Sequence, residues 1–238
     1  MTKTPDLRAA ASGIRDAEDV SENHALPKVA DVLAVCAHPD DESFGLGAVL
    51  AAFAAQGTRV RVLCFTRGEA STLGETAEAL AVVRAQELSA AAEVLGVDRV
   101  SLLAHADGRL GEVAPEQLAH AIETAAADAD LLLVFDEGGI TGHPDHCRVT
   151  EAAVLVGGRC HLPVLAWALP EDVASRLNAE FGATFVGRPM AELSIALAVD
   201  RTQQHEAIAC HASQARDNPV LWRRLELLGS LEHLRWLT

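Results

Sequence analysis

The stretch VADVLAVCAHPDDESFGLGAVLAAFAAQG, residues 29–57, contains a strand, a loop and a helix in succession. Residues 29–37 are rich in valine and apolar toward both faces, as expected of a strand buried on both sides of a sheet. Residues 46–56 are rich in alanine and leucine and stop at Gly57, which is typical of a helix with a C-terminal glycine. A strand followed directly by such a helix indicates an α/β fold.

The loop between this strand and helix concentrates negative charge at the edge of an apolar unit. It has the sequence AHPDDE and contains one histidine and three consecutive carboxylates: His38, Asp40, Asp41 and Glu42. Adjacent carboxylates repel one another and lose hydration beside a buried strand, so positive charge must compensate them. A divalent cation and the N-terminus of the following helix both supply such charge.

Apolar and amphipathic segments alternate along the rest of the chain. We predict strands at 58–66, 97–105, 130–136 and 162–169, and a sixth or edge strand at 191–199. We predict helices at 71–96, 114–129, 145–155 and 170–181, the first starting at a Thr72–Glu75 capping box, and helical structure for most of 200–237. Units of about 30 residues imply βαβ crossovers. The predicted fold class is α/β, a Rossmann-like three-layer sandwich with a mostly parallel sheet.

Length and charge limit the classes of protein that fit. The 238 residues suit a polar N-terminal arm at 1–28 and a single α/β domain at 29–238. Half of the residues are hydrophobic, which excludes wholesale disorder. The net charge of −15 argues against non-specific binding to nucleic acid or to an anionic membrane, because both repel such a surface. A small anionic substrate held by one or two local arginines is not excluded.

Cysteine usage and the terminal segment indicate the compartment. The five cysteines are odd in number, widely spaced and without a CxxC pair, which is typical of reduced thiols in a cytosolic protein. Residues 1–28 contain no apolar core of a signal peptide, and no uncharged run is long enough to span a membrane. We therefore predict a cytoplasmic protein without a membrane span. The sequence leaves open whether the chain forms a homo-oligomer.

A second histidine-rich motif, GHPDH at 142–146, follows the fourth predicted strand. In parallel sheets ligands collect at the carboxyl ends of the strands, so this loop and AHPDDE are expected at one sheet edge. Histidine nitrogen and carboxylate oxygen suit zinc, and three protein ligands with one open position make a catalytic site. Either motif alone is equally compatible with a turn in which an aspartate caps a helix. The two together favour a metal site.

The spacing of the loop residues suggests a division of roles. Successive residues of an extended loop point in different directions, so one of Asp40 and Asp41 can bind metal while the other acts as a general base toward water. A second histidine beside a ligating one can stabilise the developing oxyanion or protonate the leaving group. These roles together describe a metal-dependent hydrolase.

Three rival interpretations remain. A metal-binding or sensing module without turnover needs the ligands but no base, and a base is present at Asp40 or Asp41. A phosphoester hydrolase often uses two metals, whereas the two motifs supply ligands for one. A dinucleotide enzyme is disfavoured, because no GxGxxG follows the first strand.

The two His-Pro-Asp motifs together resemble the LmbE/PIG-L family of zinc-dependent N-acetylglucosaminyl deacetylases and amidases. Weaker similarities are RAQEL at 84–88, DG at 107–108 and AxxCHASQ at 207–214, so the resemblance covers about 29–215. SFGLGA at 43–48 departs from the Gly-Gly pair of many relatives. The resemblance implies removal of an acyl group, usually acetyl, from the amine of an amino-sugar-type small molecule or conjugate.

The family pattern also assigns roles to individual residues. It implies one zinc per chain, which other divalent ions can replace, held by His38, Asp41 and His146. Asp40 would be the general base, and His143 would act as acid or oxyanion stabiliser. The candidate substrate contacts, each equally compatible with a structural role, are Arg67, Arg84 and Asp107.

Other polar residues receive structural interpretations. Glu42 is expected behind the metal ligands or at the helix N-terminus, and Arg84 is expected to pair with Glu87 along one helix. His211 and Gln214, one turn apart, are expected to brace the site. The remaining histidines are predicted to be surface or helix-face residues, and Cys147 a small core residue; these histidines are His24, His120, His161, His205 and His233.

Overall fold

The structure, a computed structural model, describes residues 25–71 and 76–238. The larger sheet has seven strands in the order β3-β2-β1-β4-β5-β9-β8, and the smaller sheet pairs β6 with β7. The strands are β1 Asp31–Cys36, β2 Arg59–Thr66, β3 Arg99–His105, β4 Leu131–Phe135, β5 Val164–Trp167, β6 Leu169–Pro170, β7 Gly187–Arg188, β8 Ile195–Ala198 and β9 Leu231–Trp236. The helices are α1 Asp41–Phe44, α2 Gly47–Ala55, α3 Ala77–Val94, α4 Pro115–Ala125, α5 Gly139–Gly142, α6 Pro144–Cys160, α7 Glu171–Phe181, α8 Thr202–Cys210, α9 Ala212–Ala215 and α10 Pro219–Leu228.

The first strand lies inside the sheet with both faces covered. All six residues of β1 are buried. Val32 and Ala34 belong to the apolar cluster that contains Leu50 of α2 and Leu88 of α3. On the other face the cluster contains α4 and α6, with Leu33 of β1 among its members. Because β1 to β5 run parallel and helices cover both faces, the predicted α/β three-layer fold is confirmed.

The topology brings the two histidine motifs together. The chain moves outward from β1 to β2 and β3, then returns to place β4 on the other side of β1. Loops at such a reversal of strand order diverge and leave a crevice at the carboxyl ends of the strands. AHPDDE follows β1 and GHPDH follows β4, so both motifs lie at this crevice.

The C-terminal segment corrects one prediction. Residues 200–228 are largely helical as predicted, but β9 replaces the helix predicted through 237. Gly229, with φ of 56°, ends α10, and β9 then pairs antiparallel with both β5 and β8. His233 is consequently buried at 6% exposure rather than on the surface. The edge position predicted for the strand near 191–199 is confirmed as β8.

Some predictions fall outside the described residues: His24, the Thr72–Glu75 capping box and residues 1–24 of the polar arm. The division into an arm and one domain therefore stays a prediction. Within the described part of the chain, no helix has the length and apolar character that crossing a bilayer requires.

Candidate metal centre and active site

Three side chains from the two motifs converge at the crevice. His38 Nδ1 lies 3.1 Å from His146 Nε2. Asp41 Oδ1 lies 3.1 Å from the same His146 nitrogen, and Asp41 Oδ2 lies 3.9 Å from His38 Nδ1. Two imidazole nitrogens and a carboxylate at these separations form a donor set that suits zinc and other divalent ions.

Hydrogen bonds hold the remaining polar atoms of this triad. His38 Nε2 lies 3.1 Å from Asp107 Oδ1 and 3.3 Å from Asp145 Oδ2, which leaves Nδ1 toward the other two side chains. His146 Nδ1 lies 3.1 Å from the carbonyl oxygen of Gly139. Such contacts fix the tautomer and orientation of metal-ligating histidines, so the arrangement fits a metal.

Gly139 takes part through its backbone conformation. Its φ is 62°, and a Cβ placed there would lie 2.6 Å from Cys147 Sγ. Only glycine therefore allows the turn that presents this carbonyl oxygen to His146. Cys147 itself is half-buried, so it is not the core residue that the sequence predicted.

The charges around the triad favour a cation. Burial lowers the pKa of His38, but hydrogen bonds to Asp107 and Asp145 outweigh it and raise that pKa to about 10. Burial also disfavours the charged form of Asp41, yet the neighbouring His146 holds the pKa of Asp41 far below its usual range. The carboxylates thus stabilise positive charge at this point, which is what a divalent ion would supply.

Asp145 organises the back of the site. Its side chain is fully buried and accepts hydrogen bonds from the backbone N–H groups of Gly108 and Leu110, both at 2.9 Å. These hydrogen bonds and the contact with His38 let Asp145 orient the His38 ring. This residue lies inside GHPDH, where the sequence predicted for it only the role of a helix cap.

The side chains of Asp40 and Asp145 do not cap α1 and α6, the helices that follow the two motifs. A role as helix caps therefore does not explain the motifs. The side chain of Asp40 makes no capping hydrogen bond to α1. The N-cap of α6 is His143, whose Nδ1 accepts a hydrogen bond from the Asp145 backbone N–H at 3.2 Å. With Nδ1 an acceptor, the neutral ring of His143 carries its hydrogen on Nε2.

Asp40 stands beside the triad in an unusual backbone conformation. Its φ of 126° is disfavoured for a residue with a side chain. Arg84 Nη2 donates to Asp40 Oδ2 at 2.9 Å and also to the carbonyl of Pro39, while Nη1 donates to the carbonyl of Gly68 at 2.8 Å. Burial raises the pKa of Asp40 to about 6, with Arg84 opposing the rise.

The predicted ion pair between Arg84 and Glu87 is wrong. Arg84 points into the site toward Asp40, whereas Glu87 accepts hydrogen bonds from the backbone and hydroxyl of Ser213 at 2.8 and 2.6 Å. The helical spacing of two opposite charges suggested a pair, but each side chain has a nearer partner on another element. Helix pairs of this kind contribute only tenths of a kcal/mol and yield readily to tertiary contacts.

The third carboxylate of the loop has its own partners. Glu42 is fully buried and accepts hydrogen bonds from the Asp40 backbone N–H at 2.9 Å and from the Ser43 hydroxyl at 2.6 Å. Its Oε1 also lies 2.6 Å from His211 Nε2. Burial lowers the pKa of His211, but the charge of Glu42 outweighs it, so that pKa is raised. His211 therefore braces the AHPDDE loop through Glu42.

His143 lies at the mouth of the same group. Its ring centroid is 4.9 Å from those of His38 and His146. One ligand atom from each of these three histidines falls within 4.8 Å of the others, so distance alone also allows His143 into a metal shell. Burial and the neighbouring histidines lower the pKa of His143, which favours its neutral form.

A cavity of about 480 Å³ opens above these side chains. Its walls are formed by the two motifs, the loops after β2 and β3, and the start of α10. Among the predicted substrate contacts, Arg84 and Asp107 line it, whereas Arg67 is exposed and lines a separate depression. Apolar walls come from Phe44, Phe135 and Ile140. Arg224 of α10 also lines the cavity, and no motif in the sequence indicated it.

Two relatives of this chain among known proteins have the same deacetylase name. A 1D-myo-inositol 2-acetamido-2-deoxy-alpha-D-glucopyranoside deacetylase of Kineococcus radiotolerans is 33% identical over 175 residues, which are 58% of this chain and 48% of the relative. The chain thus matches about half the length of that protein. A deacetylase of the same name from Nakamurella multipartita is 31% identical, with 78% of this chain and 81% of the relative covered.

Solved structures share the fold. A deacetylase of the teicoplanin biosynthesis pathway superposes with a TM-score of 0.66 at 20% identity, covering 87% of this chain and 96% of that one. GalB, the 4-carboxy-2-hydroxymuconate hydratase of Pseudomonas putida, superposes with a TM-score of 0.61 at 19% identity, with the same coverage. The fold therefore carries more than one reaction and does not by itself fix the chemistry.

The family follows from the sequence match. Residues 33–156, just over half of the 238, match the family model described as GlcNAc-PI de-N-acetylase. Together with the Nakamurella relative, which matches over more than two thirds of this chain, this result shows that the chain belongs to the PIG-L family.

Proposed function

We propose that this protein is a metal-dependent hydrolase that removes an acetyl group from the amine of an amino-sugar-type small molecule or conjugate. The observation that carries the proposal is the carboxylate of Asp40, held by Arg84 beside the convergent His38, Asp41 and His146. The deacetylase names of the relatives support the same reaction.

The metal would be held by His38 Nδ1, His146 Nε2 and the Asp41 carboxylate, with zinc as the proposed ion and one ion per chain. When bound, a divalent ion there supplies Lewis acidity that polarises an acyl carbonyl and acidifies water. A three-residue protein shell keeps room for substrate and water, as a catalytic site requires. His143 stays outside this shell in the proposal.

Asp40 is the proposed general base. Its carboxylate accepts a proton from water as the water oxygen attacks the acyl carbon, and a pKa of about 6 leaves it ionised near neutral pH. The same carboxyl group then gives that proton to the nitrogen as the carbon–nitrogen bond breaks. Giving up this proton leaves Asp40 ionised again as the amine departs. The acid that forms still carries the second proton of the water and loses it to solvent near neutral pH, so the products are a carboxylate and an amine.

His143 is the proposed donor to the acyl oxygen. Because its Nδ1 accepts from the backbone of α6, the neutral ring has an N–H on Nε2. A hydrogen bond from this N–H becomes stronger as negative charge grows on the oxygen in the transition state. The lowered pKa of His143 favours this role over that of a protonating acid.

The decisive experiment measures metal and product together. We expect the purified protein to contain one equivalent of zinc and to release acetate and primary amine in equal amounts from an N-acetylated sugar. Asp40→Asn should keep the metal and lower the rate of release by about two or more orders of magnitude. A wild-type protein that binds metal but releases nothing from a broad panel of N-acyl amines would instead identify the alternative, a non-catalytic zinc-binding or sensing module.

The charge and composition of the chain also bear on the type of substrate and on the cellular location. We propose a small-molecule, glycosidic partner without nucleic-acid binding, in keeping with the net charge of −15. The chain has no tyrosine and nine Phe and Trp residues, so recognition of a sugar would depend on polar contacts more than on ring stacking. The cytoplasmic location predicted from the cysteines stays a proposal.

A further inference from the structure

Arg224 is a buried cation in the wall of the cavity. It lies on α10, one turn after Val220 and Leu221, and all three residues line the cavity. Arg224 is only 9% exposed. A guanidinium at this depth has lost most of its hydration, so its remaining partners decide whether it is stable there.

The groups in direct contact with Arg224 carry no formal charge. Its Nη2 donates to the carbonyl oxygen of Phe44 at 2.5 Å, and its guanidinium carbon lies 5.2 Å from the ring centroid of Trp167. Its Nε is buried without a hydrogen-bond partner. Neither a neutral carbonyl nor an aromatic face supplies the full negative charge that a buried guanidinium ordinarily pairs with.

The other buried arginines of this region differ from it. Arg84, the other arginine in the cavity wall, pairs with Asp40, and Arg201 pairs with Glu232. Within residues 25–71 and 76–238, no carboxylate approaches Arg224 within 4.0 Å. Burial lowers the pKa of Arg224 to about 10, partly opposed by the charge of Glu232, so it remains charged at neutral pH.

We propose that Arg224 recognises an oxyanion on the substrate, so that the preferred substrate is an N-acyl amine that also carries a carboxylate or a phosphate. This inference rests on the proposed deacylation and adds the charge of the substrate to it. A guanidinium in a cavity wall recognises either anion by donating charge-assisted hydrogen bonds to its oxygens. The cavity volume of about 480 Å³ accommodates a sugar ring together with such a group.

The net acidity of the protein does not oppose this recognition. The local field at α10 comes from one desolvated cation, and a direct hydrogen bond in a buried site outweighs distant surface charges screened by salt. Anion binding would also remove the cost of keeping Arg224 unpaired. The gain in binding free energy is therefore larger for an anionic substrate than for its neutral analogue.

The first test uses the zinc-loaded protein and compares three N-acetyl probes as substrates: N-acetylglucosamine, N-acetylglucosamine 6-phosphate and N-acetylmuramic acid. We expect kcat/KM for at least one anionic probe to exceed that for the neutral sugar by about 10- to 100-fold, the worth of one buried charged hydrogen bond. The probe that gains identifies phosphate or carboxylate as the source. Equal kcat/KM for all three would overturn the inference while leaving deacylation intact.

Variants separate recognition from folding. Arg224→Gln should lower the ratio of anionic to neutral kcat/KM by at least about 10-fold, mainly through KM, and Arg224→Lys should restore part of it. Arg223→Gln is the matched control, because Arg223 is the preceding residue on α10 and pairs with Glu180 and Glu226. An Arg224→Gln protein that loses activity equally on all probes would make Arg224 a structural residue.

A binding measurement keeps the inference testable without turnover. Glucose 6-phosphate and glucose contain no amide, so calorimetric titration reports the anion site alone. We expect glucose 6-phosphate to bind the wild type at least about 10-fold more tightly than glucose, and Arg224→Gln to abolish that difference. If binding follows this pattern but no probe is deacetylated, the proposed function fails and the anion site stands. Unchanged binding in Arg224→Gln would overturn the anion site.

Discussion

Arg84 Nη2 lies 2.9 Å from Asp40 Oδ2, although the two residues are 44 positions apart and on different elements. This contact affects the pKa of Asp40, the proposed base. Burial alone would push the carboxyl group toward its neutral form, and the guanidinium limits that shift. A carboxylate that is ionised but still basic near neutral pH is what proton transfer requires.

Metal content tests the ligand set. We expect His38→Ala, Asp41→Ala and His146→Ala each to lower zinc content strongly, because each removes one of three proposed donors. Elemental analysis after dialysis measures this. His161→Ala, at an exposed position, is the matched control and should retain a full equivalent. Full zinc in both His38→Ala and His146→Ala would place the metal elsewhere.

Replacing the proposed base should separate binding from turnover. Asp40→Asn keeps the size of the side chain and its contact with Arg84, so metal content should stay near normal. The catalytic constant should fall by about two or more orders of magnitude, the scale of general base catalysis. Steady-state rates and zinc analysis are measured on one preparation. Loss of zinc from this variant would make Asp40 a ligand, and full activity would remove its role as base.

The pH profile should report the contact between Arg84 and Asp40. The base must be ionised, so kcat/KM should rise with pH through the pKa of Asp40, about 6. Arg84 lowers that pKa, and Arg84→Gln should therefore move the acidic limb to higher pH. Arg84→Lys keeps the charge and should move it less. An acidic limb that stays in place in Arg84→Gln would contradict the coupling.

His143 should act in the transition state rather than on the metal. We expect His143→Ala to retain zinc and to lose about two to three orders of magnitude in kcat with little change in KM, as for deletion of one oxyanion donor. His120→Ala, an exposed histidine on α4, serves as control. A metal-bound structure with a His143 nitrogen in a four-coordinate zinc shell would refute this role and favour a binding module.

An ion cluster away from the metal should govern acid stability. Asp136 is buried and accepts from Arg188 and Arg235, each at 2.8 Å. Burial alone would raise the pKa of Asp136, but these arginines lower it. The contribution of Asp136 to the free energy of unfolding is therefore fully present above the pKa of an unfolded aspartate, about 3.9. It is lost as the pH falls through the lower pKa that Asp136 has in the folded protein.

Urea unfolding measures this contribution. Asp136→Asn should lower the free energy of unfolding by about 2 kcal/mol at pH 7, and the difference from wild type should shrink below about pH 4. Glu151→Gln breaks an exposed pair with Arg148 and should cost less than about 0.5 kcal/mol at either pH. A deficit in Asp136→Asn that is the same at pH 3 and pH 7 would contradict the ionic explanation.

The positions of the parallel strands along the chain and the nearness of the two motifs could be predicted because they depend on local patterns. Apolar runs such as 29–37 identify buried strands, and the rule for carboxyl ends then places His38 and His146 at one edge. The partners of Arg84, Glu87 and Arg224 could not be predicted in this way. Each depends on tertiary contacts with residues 40 to 180 positions away.

The strand β9 was missed for a related physical reason. LEHLRW has leucines three residues apart, which suits a helix as well as a strand, and charged residues at positions that become buried. Glu232 is tolerated inside because Trp167 Nε1 donates to it at 2.6 Å and Arg201 pairs with it. No sequence pattern within β9 indicates those partners. Whether LEHLRW forms a helix or a strand is therefore decided only by its contacts in the assembled sheet.

The late position of α10 and β9 gives the site an order of assembly on the ribosome. Every proposed metal ligand is present once His146 has been made, whereas Arg224 follows 78 residues later and β9 later still. At about 5–20 residues per second, that interval lasts roughly 4 to 16 s. A nascent chain can therefore gather its metal-binding side chains in an open crevice, and the wall that selects the substrate arrives only as translation nears the end of this sequence.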